Sequence, residues 1–270
     1  MKLGFIGTGN LASTIIKGVV LSGKFAPEEI KIYDINSDKV SELSAKYSVK
    51  SAASASEIAS ECESIVIAVK PKDFAALAAS IAEEAKKNNP LIISTAAGTE
   101  IKTIAEFFGY DARIARIMPN INAAVSEAMT AVCVSEQATE SDSAFALDFC
   151  SCFGKAVLLE EKYFSAFTAV SGSAPAFAFM FADALTTAAV KYGIPAATAQ
   201  QIAAQMLLGS AKLMLESPLA VSDLIRSVCS PAGTTVEGVC RLKETGFESS
   251  VISAIDKTVE KDRLMSAKNK

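Results

Sequence analysis

Short apolar runs alternate with helical stretches over the first 160 residues, and this alternation limits the possible folds more than any other feature of the chain. The apolar runs predict strands, and the stretches between them carry apolar residues at helical spacing. The runs are KLGFI, EIKIYDI, SIVIAVK, PLIIS, RIARIM and MTAVCV. Strands that are joined through helices form parallel sheets with right-handed crossovers. Residues 1–160 are therefore predicted to form an α/β domain with a parallel-rich sheet.

The pattern changes after Glu160. Ala-rich helical stretches follow, with no convincing strand among them, over about 162–191, 196–216, 219–228, 231–245 and 248–265. Gly193, Pro195 and Gly246 stand where such helices would end. Residues 161–270 are predicted to be an all-α C-terminal domain.

A glycine loop, GTGNLA, follows the first predicted strand and opens the first predicted helix. Gly7 allows the tight turn, Gly9 lets the backbone approach a pyrophosphate, and Ala12 lets the helix pack closely on its strand. The first amides of the helix then face the phosphates. Glycine turns also occur for steric reasons alone, but the strand before the loop and the helix after it favour a Rossmann-type dinucleotide site.

Asp34 ends the second predicted strand, where a carboxylate usually accepts the hydroxyls of the adenosine ribose. It would repel the extra phosphate of NADP by roughly 1–3 kcal/mol, which favours NAD. Asn36, Ser37 and Lys39 follow closely and could hold that phosphate if Asp34 turns away. Asp34 could also be a plain surface residue. The choice between NADP(H) and NAD(H) stays open.

Two further strand ends lie where ligands bind in open parallel sheets. AVKP covers Ala68 to Pro71, and STAAG covers Ser94 to Gly98. Small residues in STAAG would let a flat nicotinamide ring approach the backbone, but they would equally allow close helix packing. Lys70, taken alone, could be only a solvated lysine that leaves the sheet.

Composition excludes several classes of function. The net charge of −4, without a long block of like charge, indicates no nucleic-acid partner. Six cysteines show no C-x-x-C pair and there is no histidine, so no metal site is expected. The N-terminus enters structure directly, without a signal-peptide pattern, and no apolar run reaches the length of a membrane span. We expect a cytoplasmic protein with reduced thiols.

SPAGTT, from Ser230 to Thr235, looks like the start of a helix. Ser230 is predicted as the N-cap and Pro231 as the first helical residue. Gly233 to Thr235 would then lie in the first turn, whose unpaired amides attract a carboxylate. A purely structural cap is the alternative.

The motifs GFIGTGNLA, AVKP, STAAG, RIMPN, AVSGSAPAF and VCSPAGTTVEG occur in the order and spacing found in the pyrroline-5-carboxylate reductases. The chain resembles that family over nearly its whole length, and the last three motifs are much more specific than the glycine loop. The resemblance implies reduction of L-1-pyrroline-5-carboxylate to L-proline by hydride transfer from a nicotinamide cofactor, the last step of proline biosynthesis. It also implies an all-α domain that binds substrate and dimerises. Homodimers are expected, with a decamer of dimers as the larger assembly considered.

By similarity, each motif supplies particular site residues. Thr235 would be catalytic, with its hydroxyl facing the ring nitrogen of the substrate, and Ser230, Gly233 and Thr234 would help to bind the substrate. The family favours NADPH, in contrast to the preference that Asp34 suggests. The cofactor contacts would be Ile6, Gly7, Thr8, Gly9, Asn10, Leu11, Asp34, Ala68, Val69, Lys70, Pro71, Thr95, Ala96 and Ala97.

The chain departs from the family pattern at five positions. Ala174 and Ala232 replace glycines, and their methyl groups are tolerable only if both residues have ordinary helical dihedral angles. Asn122 stands where proline is usual, Ser227 replaces an asparagine before the substrate loop, and Ala55 replaces an asparagine near the adenosine.

The absence of histidine fits imine reduction, because a cyclic imine can arrive already protonated and a neutral hydroxyl then suffices. An alcohol-oxidising enzyme of the β-hydroxyacid dehydrogenase type would need a base, such as Lys162 or Lys191. A non-catalytic regulator that binds nucleotide is the remaining alternative.

Overall fold

The computed structural model describes residues 2–268, and the chain divides into two compact units. Unit 1 comprises the residues up to Gly172 together with those from Val259 onward, and unit 2 comprises Ser173–Thr258. The predicted domain bounds at 160 and 161 stay a prediction.

One eight-stranded sheet organises unit 1, with the strand order β3-β2-β1-β4-β5-β6-β7-β8. The first six positions follow the order of a doubly wound dinucleotide-binding sheet, with the topological switch between β1 and β4. The strands are β1 Leu3–Ile6, β2 Ile30–Tyr33, β3 Lys50–Ser51, β4 Ser64–Ile67, β5 Leu91–Ser94, β6 Ile114–Met118, β7 Ala128–Val134 and β8 Gly154–Leu158.

All neighbouring strands pair in parallel except β6 and β7, which are antiparallel. The prediction of a parallel-rich sheet is confirmed. The sheet does not continue in parallel past β6. Only a short 3₁₀ turn, Ile121–Val125, joins β6 to β7, and a parallel crossover needs a dozen or more residues. β3 and β8 were not predicted, since both residues of β3 are exposed and β8 contains no buried residue.

Helices cover both faces of the sheet, and each face has its own apolar core. Phe5, Ile16, Ile32 and Phe149 belong to one core, and Ile65, Phe74 and Ile104 belong to the other. The strands β1, β4 and β5 are buried on both faces, which explains their continuous apolar runs. The helices are α1 Asn10–Ser22, α2 Ser37–Tyr47, α3 Ala55–Glu61, α4 Pro71–Asn88, α5 Ile101–Phe108, α6 Glu140–Ser151 and α7 Phe164–Phe167.

Helices alone make up unit 2, as predicted. They are α8 Ala174–Lys191, α9 Ala196–Glu216, α10 Val221–Val228, α11 Thr234–Glu244 and the greater part of α12 Phe247–Lys268. Gly193 and Gly246 have φ of +89° and +77°, so the predicted helix ends there are confirmed. Of residues 173–258, all of which the structure describes, only Pro175, Ala199 and Ala203 are buried.

A continuous helical run, Glu161–Lys191, leaves much of its apolar surface exposed. By length and composition alone it is apolar enough to cross a membrane: its most apolar stretch has a mean hydropathy of 1.3, and 11% of that stretch is buried. The expectation that no apolar run reaches this length was therefore wrong. Asp183 does not interrupt the run, because a single charge leaves the average apolar.

Candidate cofactor site and substrate loop

The glycine loop joins β1 to α1 at the carboxyl edge of the sheet. Gly7 has φ of +96°, and a methyl group there would lie 2.7 Å from the carbonyl oxygen of Ala68. The amide of Ala68 also donates to the carbonyl of Ile6 at 2.9 Å. Gly7 is thus required both by its backbone conformation and by the close approach of the chain that follows β4.

Gly9 differs, because neither its backbone nor its packing requires glycine. It has φ of −65°, and a methyl group there would meet no protein atom within 4 Å. It is the N-cap of α1, and no side chain caps the first amides of that helix. An open face above an uncapped helix start fits a bound dinucleotide pyrophosphate.

Asp34 is held by the glycine loop itself. Its Oδ2 accepts from the Thr8 amide at 2.6 Å and from the Thr8 hydroxyl at 3.0 Å, and its Oδ1 accepts from the Asn36 amide at 2.9 Å. Burial disfavours the charged form, but the amides of Asn36 and Thr8, the Thr8 hydroxyl and the charge of Lys39 outweigh it and hold the pKa of Asp34 below its ordinary value. Asp34 therefore clamps the loop and keeps its negative charge, a double role that the sequence did not reveal.

The start of α2 lies next to Asp34. The helix is capped by Asn36, whose side chain accepts from the amides of Asp38 and Lys39, and not by Ser37 or Asp38. The side chains of Asn36, Ser37 and Lys39 are exposed at this end of the helix. The residues that could hold a ribose phosphate are thus assembled beside a carboxylate that would repel it.

The ends of β4 and β5 complete the carboxyl edge of the sheet. Ile67 pairs with Ser94, so the two segments that follow these strands leave the sheet side by side. The amide and hydroxyl of Thr95 donate to the Ile67 carbonyl at 3.2 and 3.3 Å. Lys70 is an exposed N-cap of α4, and Pro71 is the first residue of that helix. The structure brings together the predicted cofactor residues Ile6–Leu11, Asp34, Ala68–Pro71 and Thr95–Ala97 along this edge.

A cavity of about 220 Å³ opens beside the start of α1. Asn10, Leu11 and Thr14 line it on one side, and Asn120, Ile121, Ala123 and Ala124 line it on the other. The RIMPN motif therefore contributes to the surroundings of the glycine loop.

The SPAGTT segment in unit 2 has a different conformation from the one predicted. The amide of Gly233 donates to the Ser230 carbonyl at 3.0 Å, which closes a turn, and α11 begins only at Thr234 with Gly233 as its N-cap. Ser230 is not the N-cap and Pro231 is not the first helical residue. Pro231 instead occupies the second position of a turn, where its fixed φ is favourable.

Ala232 lies in the left-handed region, with φ of +55°. Ala232 therefore lacks the ordinary helical dihedral angles that its methyl group was expected to need. Ala174 meets that expectation, because it starts α8 without a positive φ. A non-glycine residue in this region costs roughly 1–3 kcal/mol, and the turn is strained to that extent. A methyl group on Gly233 would lie 2.2 Å from the Ser230 hydroxyl oxygen, so a side chain there would require the Ser230 side chain to move.

Thr234 and Thr235 occupy the first turn of α11, and both are exposed. No side chain caps the amides of this turn. The loop thus presents unpaired amides and the Thr235 hydroxyl together, an arrangement that suits a carboxylate next to a hydrogen-bonding ring atom.

Of the other departures, Asn122 and Ser227 have local structural explanations, and Ala55 is the exception. The amide of Asn122 donates to Asn120 Oδ1 at 3.1 Å, a bond that proline could not make. The hydroxyl of Ser227 donates a hydrogen bond to the Leu224 carbonyl at 2.7 Å within its own helix. Ala55 is buried at the start of α3 and offers no polar group to an adenosine.

Three polar residues, to which the sequence analysis assigned no role, are built into unit 1. Arg116 is buried in its strand, with 7% of its surface exposed. It is ion-paired with Glu161 at 2.8 Å. Asn120 is also buried, and its side-chain amide donates to the carbonyl and hydroxyl of Ser171 at 3.0 and 3.2 Å. The only signal for them was the RIMPN motif, which contains two of the three.

The lysines of the dehydrogenase alternative do not suit a general base. Lys162 is exposed and pairs with Glu160 at 2.6 Å, and this hydrogen bond raises its pKa. Lys191 is exposed in the last turn of α8, beside the Tyr192 ring. Lys162, with its raised pKa, stays protonated at neutral pH and cannot accept a proton.

The chain was compared with known proteins. A family model for pyrroline-5-carboxylate reductase dimerisation matches residues 161–265, and a model described as NADP oxidoreductase, coenzyme F420-dependent, matches residues 2–98. Pyrroline-5-carboxylate reductase from Escherichia coli (strain K12) is 40% identical over 268 residues, covering 98% of this chain and 98% of that protein.

Two solved structures agree along the whole chain. A pyrroline-5-carboxylate reductase from Coxiella burnetii has a TM-score of 0.93 at 27% identity, covering 98% of both chains. A Plasmodium falciparum pyrroline carboxylate reductase with NADP bound has a TM-score of 0.87 at 26% identity, with the same coverage. The chain belongs to the pyrroline-5-carboxylate reductase family.

Proposed function

We propose that this protein reduces L-1-pyrroline-5-carboxylate to L-proline, the last step of proline biosynthesis, with a nicotinamide cofactor that supplies the hydride when bound. The observation that carries the proposal is the uncapped first turn of α11 with the Thr235 hydroxyl beside it. The chain has no histidine to serve as a base, and this reaction is one that needs none.

Each unit has a distinct task. In unit 1, the first amides of α1 bind the pyrophosphate, and the segments after β4 and β5 orient the nicotinamide end. In unit 2, the amides around Gly233 and Thr234 hold the substrate carboxylate. The Thr235 hydroxyl oxygen accepts a hydrogen bond from the ring nitrogen, whose proton arrives with the substrate.

The direct test is the initial rate of nicotinamide oxidation with pyrroline-5-carboxylate, measured with NADPH and NADH in parallel. Turnover with either nucleotide is expected. Tight binding of both nucleotides without turnover would favour the non-catalytic regulator instead.

Cofactor preference depends on the charge of Asp34, and we expect Asp34→Asn to raise the affinity for NADPH relative to NADH by about 10-fold, or about 1.4 kcal/mol. The substitution removes the negative charge beside the ribose but keeps an oxygen that can accept from Thr8. Dissociation constants for both nucleotides, obtained by calorimetry, measure the ratio.

Thr8→Val is the matched control, because it removes the hydroxyl that donates to Asp34 and leaves the charge in place. It should weaken both nucleotides equally without changing their ratio. An unchanged ratio in Asp34→Asn would show that Asp34 serves only as the clamp of the loop.

The pH dependence of the reaction should follow the substrate. The fraction of protonated imine falls as the pH rises through the imine pKa, so kcat/KM should fall on the alkaline side with no acidic limb from a histidine. Initial rates from pH 6 to 10 at fixed nucleotide saturation measure this profile. A rate that rises steadily to pH 9 would indicate a base on the enzyme.

We also propose a cytoplasmic homodimer. Unit 2 buries only three of its residues, whereas Phe179, Met180, Leu208 and Leu215 are more than half exposed. A second copy of the chain would cover such a surface, and the dimerisation model that matches 161–265 supports this. We also propose that the dimers assemble into a decamer of dimers, and that the protein has neither a membrane nor a nucleic-acid partner.

A further inference from the structure

A buried ion pair lies beside the segment that follows β5. Arg116 Nη1 donates to Glu161 Oε1 at 2.8 Å, and only 8% of the Arg116 side chain is exposed. The guanidinium also stacks on the Phe164 ring, with its carbon 4.5 Å from the ring centroid. The same Glu161 oxygen accepts from the amide of Ile101 at 2.8 Å.

These contacts bracket the loop Thr95–Glu100, which supplies the predicted cofactor contacts Thr95, Ala96 and Ala97. Before the loop, Ser94 is paired with Arg116 in the parallel register of β5 and β6. After the loop, Ile101 is the first residue of α5, and Glu161 binds its amide. Strand pairing holds the first end of the loop, and the Arg116–Glu161 pair holds the second end, where Glu161 accepts from the Ile101 amide.

Two amide contacts within the loop are longer than these. The Ala96 amide lies 3.3 Å from the Ser94 hydroxyl, and the Thr99 amide lies 3.4 Å from the Ala96 carbonyl. The contacts of Glu161 with Ile101 and Arg116 are 0.5–0.6 Å shorter and are of the stronger, charge-assisted kind. Glu161, held by Arg116, therefore contributes strongly to where the loop ends and α5 begins.

We propose that Arg116 and Glu161 are positioning residues of the cofactor site, which hold the loop Thr95–Glu100 where it contacts the nicotinamide end of the dinucleotide. The proposal rests on the proposed function only in that the loop faces a nicotinamide cofactor. It requires neither turnover nor a particular substrate.

Its test compares a whole dinucleotide with the fragment that lacks nicotinamide. Calorimetry of Arg116→Met should show NADPH binding weakened by about 10-fold, with binding of 2′-phospho-ADP-ribose changed by less than about 2-fold. NADH and ADP-ribose provide the same comparison of a whole dinucleotide with its fragment. Glu161→Gln loses the charge but keeps an oxygen that can accept from Ile101, so a loss of about 3-fold is expected for the dinucleotide alone.

Arg113 provides the matched control on the same segment of chain. It precedes β6 at the end opposite the loop, and its Nη1 donates to both carboxylate oxygens of Asp142 at 2.9 and 3.1 Å. Arg113→Met should lower the melting temperature while leaving the affinities for NADPH and for the fragment unchanged. If Arg116→Met does not fold, Arg116→Lys and Glu161→Gln still carry the test.

Equal weakening of dinucleotide and fragment in the Arg116 or Glu161 variants would overturn the proposal, and so would the same selective loss in Arg113→Met. An unchanged NADPH affinity in Glu161→Gln and in a folded Arg116 variant would also overturn it. Failure of the proposed reaction is a separate result, because it would appear as absent turnover in the unaltered protein while these binding differences persist.

Discussion

Thr235→Val should lower kcat/KM for pyrroline-5-carboxylate by about 10²–10³-fold, the usual effect of removing one hydrogen bond aimed at a reacting centre. Valine matches threonine in shape, so the start of α11 keeps its geometry and only the hydroxyl is lost. Nucleotide affinity should stay within about 2-fold, because Thr235 contributes to the substrate and not to the cofactor. Steady-state kinetics and calorimetry on the same preparation separate the two quantities.

Two variants control this experiment. Thr235→Ser keeps the hydroxyl and should retain most of the activity. Thr245→Val removes a hydroxyl at the other end of α11, where it donates to the carbonyls of Arg241 and Leu242. It should leave the kinetics unchanged. Full activity in Thr235→Val would mean that this hydroxyl has no part in the reaction.

Gly9→Ala should weaken binding of both nucleotides by about 100-fold without lowering the melting temperature. The added methyl group meets no protein atom within 4 Å, and the φ of −65° suits alanine. The unfolded chain loses conformational freedom, so the variant should even gain about 0.4–1 kcal/mol of stability. The loss of affinity would then come from the methyl group in the path of the pyrophosphate.

Gly18→Ala in the same helix gives the opposite pattern. Its methyl group would lie 2.8 Å from the Cβ of Phe153, so the melting temperature should fall while nucleotide affinity stays the same. Calorimetry for affinity and thermal unfolding for stability should be run on both variants. Unaltered nucleotide binding in Gly9→Ala would show that no ligand approaches the backbone at this loop.

The fold was largely predictable because its signals are local. The buried strands appear as continuous apolar runs, and the helical domain appears as Ala-rich stretches that end at Gly193 and Gly246. Strand β8 was missed because none of its residues is buried, and the antiparallel direction of β7 was missed because the preceding turn shows no strong sequence signal.

The candidate site was predictable only in its outline. The sequence placed the glycine loop, the segments after β4 and β5, and the SPAGTT segment. It misjudged the geometry of that segment, since Ser230 and Pro231 form a turn with Ala232 at positive φ and not the first turn of a helix. Ser-Pro suits both a helix start and a turn, and the residues nearby do not distinguish the two.

The sequence by itself determined the order of the helices and of all strands except β3 and β8, the glycine loop and the position of the threonines, because each of these depends on residues that are close together along the chain. Only the tertiary structure decided that Asp34 clamps Thr8, that Arg116 is buried against Glu161, and that Glu161 binds the first amide of α5. Each of these contacts joins residues far apart in sequence. In the sequence, these charged residues cannot be distinguished from ordinary surface residues. Only folding brings the partners together and removes water from around them.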